Sequence, residues 1–163
     1  MMKTPGLIIA ASLLLASGLA FADDALDAFF PKSSIVISAT ANACYRFDIH
    51  VAVNDQQRQR GLMHVRHMDP WRGMLFVYPD SDMYSMWMKN TFIPLDMLFI
   101  RKDGAISSIA RDTEPQSLKS VRSIENVSYV LELNAGTSDR LGISAGDRMW
   151  WSGDLVPPPG SEN

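Results

Sequence analysis

Two acidic side chains stand out because their strand neighbours are apolar. Over residues 95–101 the chain alternates so that Leu95, Met97 and Phe99 share one face of an expected strand, while Asp96, Leu98 and Ile100 share the other. A carboxylate set among large apolar residues must be paired or hydrogen-bonded, or it is driven towards its neutral form. Glu132 repeats the situation over 127–133, on a face shared with Ser128 and Val130. Arg60, Trp87, Lys89, Asn90 and Thr91 fall on segments expected near these strands. Together with Asp96 and Glu132 they make a candidate polar ligand pocket. Purely structural roles stand beside this one: Asp96 capping loop amides, Glu132 pairing with a basic residue.

Asp96 has a more specific expectation. Only Phe92, Ile93 and Pro94 separate it from Thr91. Pro94 lacks an amide donor and fixes its own backbone angle, so it bends the chain before the strand. The bend is expected to lay residues 87–91 over the strand start. Asp96 then accepts hydrogen bonds from Asn90, Thr91 or their amides, and Lys89 stays at the rim.

Other chemistries leave weaker signatures. Paired carboxylates suit glycoside hydrolysis, one as acid and the other as nucleophile or base, so a hydrolase using Asp96 and Glu132 is an alternative. Gly142-Ile143-Ser144-Ala145-Gly146 matches Gly-x-Ser-x-Gly in letters, but it reads as a turn from a helical turn into the last strand, not the strand-to-helix turn of a nucleophile elbow, and there is no phosphate loop. His64 and His67 lie three residues apart without the glutamate of a zinc-protease motif. Met83, Met86 and Met88 flank Trp87, and thioethers are soft ligands suited to Cu(I), which makes a copper-handling protein a further alternative. Methionine also fills irregular cores, and on a straight strand Met83 points away from the other two. Trp150 and Trp151 must face opposite ways on a final strand, one of them free to stack on a partner. No cofactor is implied.

The elements that position these residues read as short strands separated by turns. Residues 34–40 form a first strand. Residues 45–53 form the clearest one, with Tyr45, Phe47, Ile49, Val51 and Val53 facing the core and Arg46, Asp48, His50 and Ala52 facing water. Asn54 or Asp55 caps a short helix over 56–60 that Gly61 closes. Residues 74–78 are apolar on both faces, as in a central strand. Strands are expected over 83–88, 95–101, 105–111, 127–133 and 148–151, with a tight hairpin at Asp103-Gly104, one weak strand inside 112–126 and a helical turn over 136–141. The pattern predicts one mainly β domain, a sandwich or barrel, with one or two short helices.

The N-terminus carries Lys3, an apolar run over 7–16 and Ala20-Phe21-Ala22 before Asp23-Asp24. A charged start, a short apolar core and an Ala-x-Ala end are the parts of a signal peptide. The expected division is a signal peptide over 1–22, a leader over 23–33, the domain over 34–153 and a Pro-rich tail over 154–163. Cleavage after Ala22 gives a periplasmic or secreted protein with no stable membrane anchor. It moves the formal charge from −3 to −4, because Lys3 is the one charged residue removed. A mildly acidic chain without a basic tract has no electrostatic footprint for nucleic acid. One cysteine, Cys44, allows no internal disulfide.

Several motifs occur in fixed order: Arg60-Gly61-Leu62-Met63, Gly73-Met74-Leu75-Phe76, Trp87-Met88-Lys89-Asn90-Thr91 with Pro94-Leu95-Asp96, Val130-Leu131-Glu132-Leu133, and Gly142-Ile143 with Gly146-Asp147. In this the chain resembles the bacterial and archaeal domain of unknown function 192 family from about Val36 to Trp151. The resemblance implies a single compact, jelly-roll-like β-sandwich, often exported, and no activity, substrate or cofactor. The expected function is a non-catalytic accessory module of the cell envelope that binds a small polar ligand or another envelope protein.

Overall fold

The structure, a computed structural model, describes residues 26–39 and 42–154. The expected signal peptide and nearly all of the expected Pro-rich tail lie outside the described residues. Among the described residues nine strands follow in order: β1 (Lys32–Ala39), β2 (Ala43–Ala52), β3 (Arg72–Asp82), β4 (Ser85–Met86), β5 (Leu95–Ile100), β6 (Ile106–Thr113), β7 (Val121–Arg122), β8 (Val127–Asn134) and β9 (Arg148–Trp150). Between the described strands lie two short helices, α1 (Asp55–Arg60) and α2 (Thr137–Leu141). Seven strands form one sheet in the order β6-β5-β8-β3-β2-β1-β9, and β4 pairs with β7 in a second, two-stranded sheet.

The large sheet curls on itself. Its first and last strands meet where Ala105 bridges Arg148, and amides of Ile106, Gly146 and Met149 bond across that seam. One apolar cluster draws on all seven strands, edges included: Ile37, Phe47, Leu75, Leu98, Ile106, Leu131 and Met149 are members. It therefore fills the concave side. The mainly β compact domain expected from alternation is what forms, in its barrel-like version.

The outer face is covered by the chain itself. β2 and β3 run parallel, and parallel neighbours need a crossover connection. Residues 53–71 make it, and their Leu62, Val65 and Met68 pack over Ala52, Met74, Phe76, Met97, Phe99 and Val130. The leader contributes Leu26 and Phe30 to the same cluster. This covering corrects one expectation: His50 and Ala52 do not face water but are buried beneath the leader.

Local signals set the crossover. The Asn54 side chain accepts the Gln57 amide and caps α1, and Gly61 ends it at φ 45° and ψ −138°. That conformation favours glycine, and a Cβ there would lie 3.0 Å from the Phe76 ring. The strand expected over 83–88 shrinks to Ser85–Met86, which among the described residues pairs with the two-residue β7.

Candidate functional site

Asp96 and Glu132 sit on neighbouring antiparallel strands, and register decides their faces. Asp96 lies opposite Leu133, and Glu132 lies opposite Met97. Directly paired residues share a face, so the two carboxylates point to opposite sides of the sheet. Glycoside hydrolysis by two carboxylates needs both flanking one bond. The expectation of a hydrolase using this pair is therefore corrected by the register.

Asp96 is 0% exposed and fully employed. Its carboxylate accepts the backbone amides of Asp112 at 3.1 Å, Gly136 at 3.2 Å and Ser138 at 2.8 Å. It thus ties the end of β6 and the first turn of α2 to β5. The expected bonds from Asn90 and Thr91 do not form. Thr91 turns back to the Lys89 carbonyl, and the Asn90 carbonyl accepts the His64 amide. Asn90 holds a left-handed backbone at φ 56°, which aims its segment at the crossover rather than at Asp96.

Glu132 is in the opposite situation. It projects from the centre of β8 on the outer face, between Met74 of β3 and Met97 of β5 in register. It is 4% exposed, and among the described residues no hydrogen bond or ion pair reaches its carboxylate. Desolvation pushes its pKa up from 4.5 to about 8, so it is an uncharged acid at neutral pH. Tyr78, whose hydroxyl donates to the Met86 sulfur at 3.3 Å, is likewise pushed up to about 12 by burial and then by the neighbouring Glu132.

Glu132 forms part of the wall of a recess of about 100 Å³ shared with Arg58, Arg60, Tyr78, Lys89 and Thr91. An open groove of about 460 Å³ adjoins it. Gln59, Arg60, Met63, Trp87 and Lys89 line both, so the two spaces form one stepped site. Of the residues expected to meet, Arg60, Trp87, Lys89, Thr91 and Glu132 do so in the recess, and Asn90 lines the groove. Asp96 alone is not among them. Sequence reasoning missed Tyr78, Met63, Phe29 and Arg58. Their signal was faint, because each becomes a wall residue only through the crossover and leader.

Charge at the mouth is positive. The Arg60 guanidinium lies 4.4 Å from the Phe29 ring centroid, and the Lys89 ammonium 5.2 Å from the Trp87 centroid. Neither makes an ion pair among the described residues. Arg58 is spoken for: it donates to the carbonyls of Val53 and Val77 and meets Asp55 at 2.5 Å. Two unpaired cations above an uncharged acid suit an anionic group and disfavour a metal cation.

The methionines expected as copper ligands do not converge. Met83 is exposed, the Met86 sulfur takes the Tyr78 hydroxyl, and the buried Met88 sulfur takes the Thr113 hydroxyl at 3.2 Å. His67 lies 3.7 Å from Asp69, while His64 packs on Phe92. Trp150 is exposed beneath Arg148, and Trp151 is half-buried with its indole nitrogen donating to Ser33.

A second cleft of about 480 Å³ lies by the leader, lined by Asp27, Lys32, Arg46, Asp48, His50 and Arg72 among others. Its charges are mutually satisfied: Asp27 meets His50 at 2.8 Å and Lys32 at 2.5 Å, Arg46 meets Asp48 at 3.4 Å, and Arg72 meets Asp69 at 3.6 Å. It holds the leader down and leaves less unmet chemistry than the Glu132 recess.

Comparison with known proteins agrees with this fold. A Sinorhizobium meliloti protein, named as a candidate transcription regulator, is 44% identical, with a TM-score of 0.73 over 74% of this chain and 94% of that one. A Novosphingobium aromaticivorans protein of unknown function is 29% identical, with a TM-score of 0.72 over 78% of this chain and 96% of that one. No curated protein matches. Residues 36–151 match the family described as "Uncharacterized ACR". The chain belongs to that family, the domain of unknown function 192.

Proposed function

We propose that this domain is a non-catalytic binding module that captures a small anionic ligand in the stepped site over Glu132. The observation that carries the reading is Glu132 itself. A buried carboxyl group without a partner is costly to the fold, and here it borders a recess rather than a sealed core. A ligand oxygen entering the recess supplies the acceptor that the uncharged acid lacks. Arg60 and Lys89, held on aromatic rings and free of carboxylates, supply the opposite charge. A single acid, with no second carboxylate among the described residues that line the recess or the groove, favours binding over two-carboxylate hydrolysis.

The sequence supports placing this module outside the cytoplasm, since its first 22 residues have the three parts of a signal peptide. A mature N-terminus at Asp23 is the expected result of N-terminal sequencing, and Met1 or Met2 on envelope protein would overturn it. The Sinorhizobium name points to transcription, but a formal charge of −3 without a basic tract argues against a nucleic-acid partner for this chain.

A thermal-shift screen with small carboxylic acids and their uncharged amides tests the reading. A ligand that binds only the native state raises the melting temperature. Acids should do so and amides should not, and Arg60→Ala should abolish the effect. No shift with any acid would overturn the proposal.

A further inference from the structure

The groove outside the recess has a composition of its own. Gln56, Gln59 and Asn90 bring three side-chain amides to its wall, and Trp87 brings an indole that is 48% exposed. Trp71 and Trp150 are exposed to a similar degree, at 47% and 59%, but of the three only Trp87 lines this groove. The indole and the Lys89 ammonium lie together, so one ligand can meet a flat apolar surface and a cation at once. Uncharged amides donate and accept at the same time, which suits hydroxyl groups, themselves both donors and acceptors. The groove, at about 460 Å³, falls within the roughly 300–1,000 Å³ of small-molecule sites, while the inner recess of about 100 Å³ takes only one functional group of a ligand.

From these features we infer that the ligand is an acidic saccharide, a uronate-type sugar whose ring lies on Trp87 and whose carboxylate lies between Arg60 and Lys89. This rests on the binding reading above and names its ligand class. The C–H face of the ring covers the indole. Ring hydroxyls meet the amides of Gln56, Gln59 and Asn90. One oxygen substituent enters the recess and accepts the proton that Glu132 holds. Other anions match fewer of these features. A simple dicarboxylate leaves the indole and the amides idle, and a neutral sugar leaves both cations unmatched. Inorganic phosphate uses the cations and nothing else in the groove.

Titration calorimetry on the mature protein tests the inference. The probes are trimers of galacturonate, of mannuronate and of glucuronate, with maltotriose, succinate and inorganic phosphate beside them. At least one uronate trimer should bind more tightly than succinate or phosphate by roughly tenfold or more, the worth of one extra good contact. Maltotriose should not bind. Trp87→Ala should weaken the trimer by roughly tenfold more than it weakens succinate, which loses only the ring beneath Lys89. Trp150→Ala, on the separate β9 surface, should weaken neither.

If succinate or phosphate binds as tightly as every trimer, and Trp87→Ala is silent, the saccharide inference is overturned while the anion site stands. If no acid binds at all, the site reading itself falls. Tight binding of maltotriose would also overturn the inference, because the cations would then carry no selectivity.

Discussion

Asp96 and Glu132 are one register step apart on adjacent strands, yet they face opposite sides of the sheet. That step divides a fully bonded carboxylate from the one on which the binding proposal rests. Asp96 lies wholly inside the fold with three amide donors, whereas Glu132 has none and borders a recess. Asp96→Asn preserves volume but replaces one acceptor oxygen with an NH₂ group facing amide donors. Bonds to a charged acceptor are worth roughly 1.5–3 kcal/mol each, so the variant should lose about 3 kcal/mol in urea denaturation. A loss below about 0.5 kcal/mol, the range of ordinary surface changes, would show that these bonds do not hold α2.

Glu132→Gln should do the reverse. The folded pKa of about 8 stands above the ordinary 4.5, so the native state holds a proton that the unfolded chain has released across that window. Stability is therefore full below pH 4.5 and falls as pH rises towards 8, at up to about 1.4 kcal/mol per unit. Tyr78 from β3, Arg58 and Arg60 from α1, and Lys89 from the following loop share the recess, while burial sets the direction of the Glu132 shift. The glutamine variant lacks the titration. Its melting temperature should exceed the parent's at pH 8 and approach it at pH 4.5. An equal difference at both pH values would contradict an uncharged Glu132.

Much of this arrangement was legible in the sequence. Alternation located β2, β5 and β8, and the Asn54 cap and Gly61 bounded α1. The apolar neighbours of Asp96 and Glu132 marked both as carboxylates in need of an explanation. The relation between them was not legible, because strand faces are fixed relative to one another only by register. The partners of Asp96 were hidden for another reason: they lie 16, 40 and 42 residues away, and nothing local announces them. Proximity along the chain favoured Asn90 and Thr91 instead. Likewise, His50 reads as a solvent-facing residue until the leader lies over it.

Gly61 links helix geometry to the site. Its positive φ is strained for any other residue, and an added Cβ would press on the Phe76 ring at 3.0 Å. Gly61→Ala should cost about 1–3 kcal/mol, the usual range for an overpacked site with backbone strain. It should also displace Arg60, the residue just before it, and weaken ligand binding. Denaturant titration and calorimetry on the same variant check both effects, and an unchanged midpoint would show that the crossover tolerates a side chain there.

The leader gives the last prediction, through Asp27 and His50. Burial lifts the Asp27 carboxyl, but Lys32 and His50 together outweigh it and hold the pKa below 3.8. Burial pushes His50 below 6.5 against the pull of Asp27, with Lys32 and Arg72 adding to the depression. Both depressed values act in one direction. The Asp27 contribution is present above pH 3.8 and is lost as pH falls through its folded value. Neutral His50 contributes above pH 6.5, and that contribution is lost as pH falls from there towards its own folded value. The leader should therefore loosen in acid. Amide exchange, corrected for intrinsic rate, should show Phe29 and Phe30 protected at pH 7 and less protected at pH 4.5. Asp27→Ala should lose that protection already at pH 7. The rings of Phe29 and Phe30 also carry the Arg60 guanidinium, at 4.4 and 5.7 Å. Release of the leader thus removes the support of one cation of the site, so anion affinity should fall with leader protection between pH 6.5 and 4.5. Leader protection that stays constant across this range would refute the linkage.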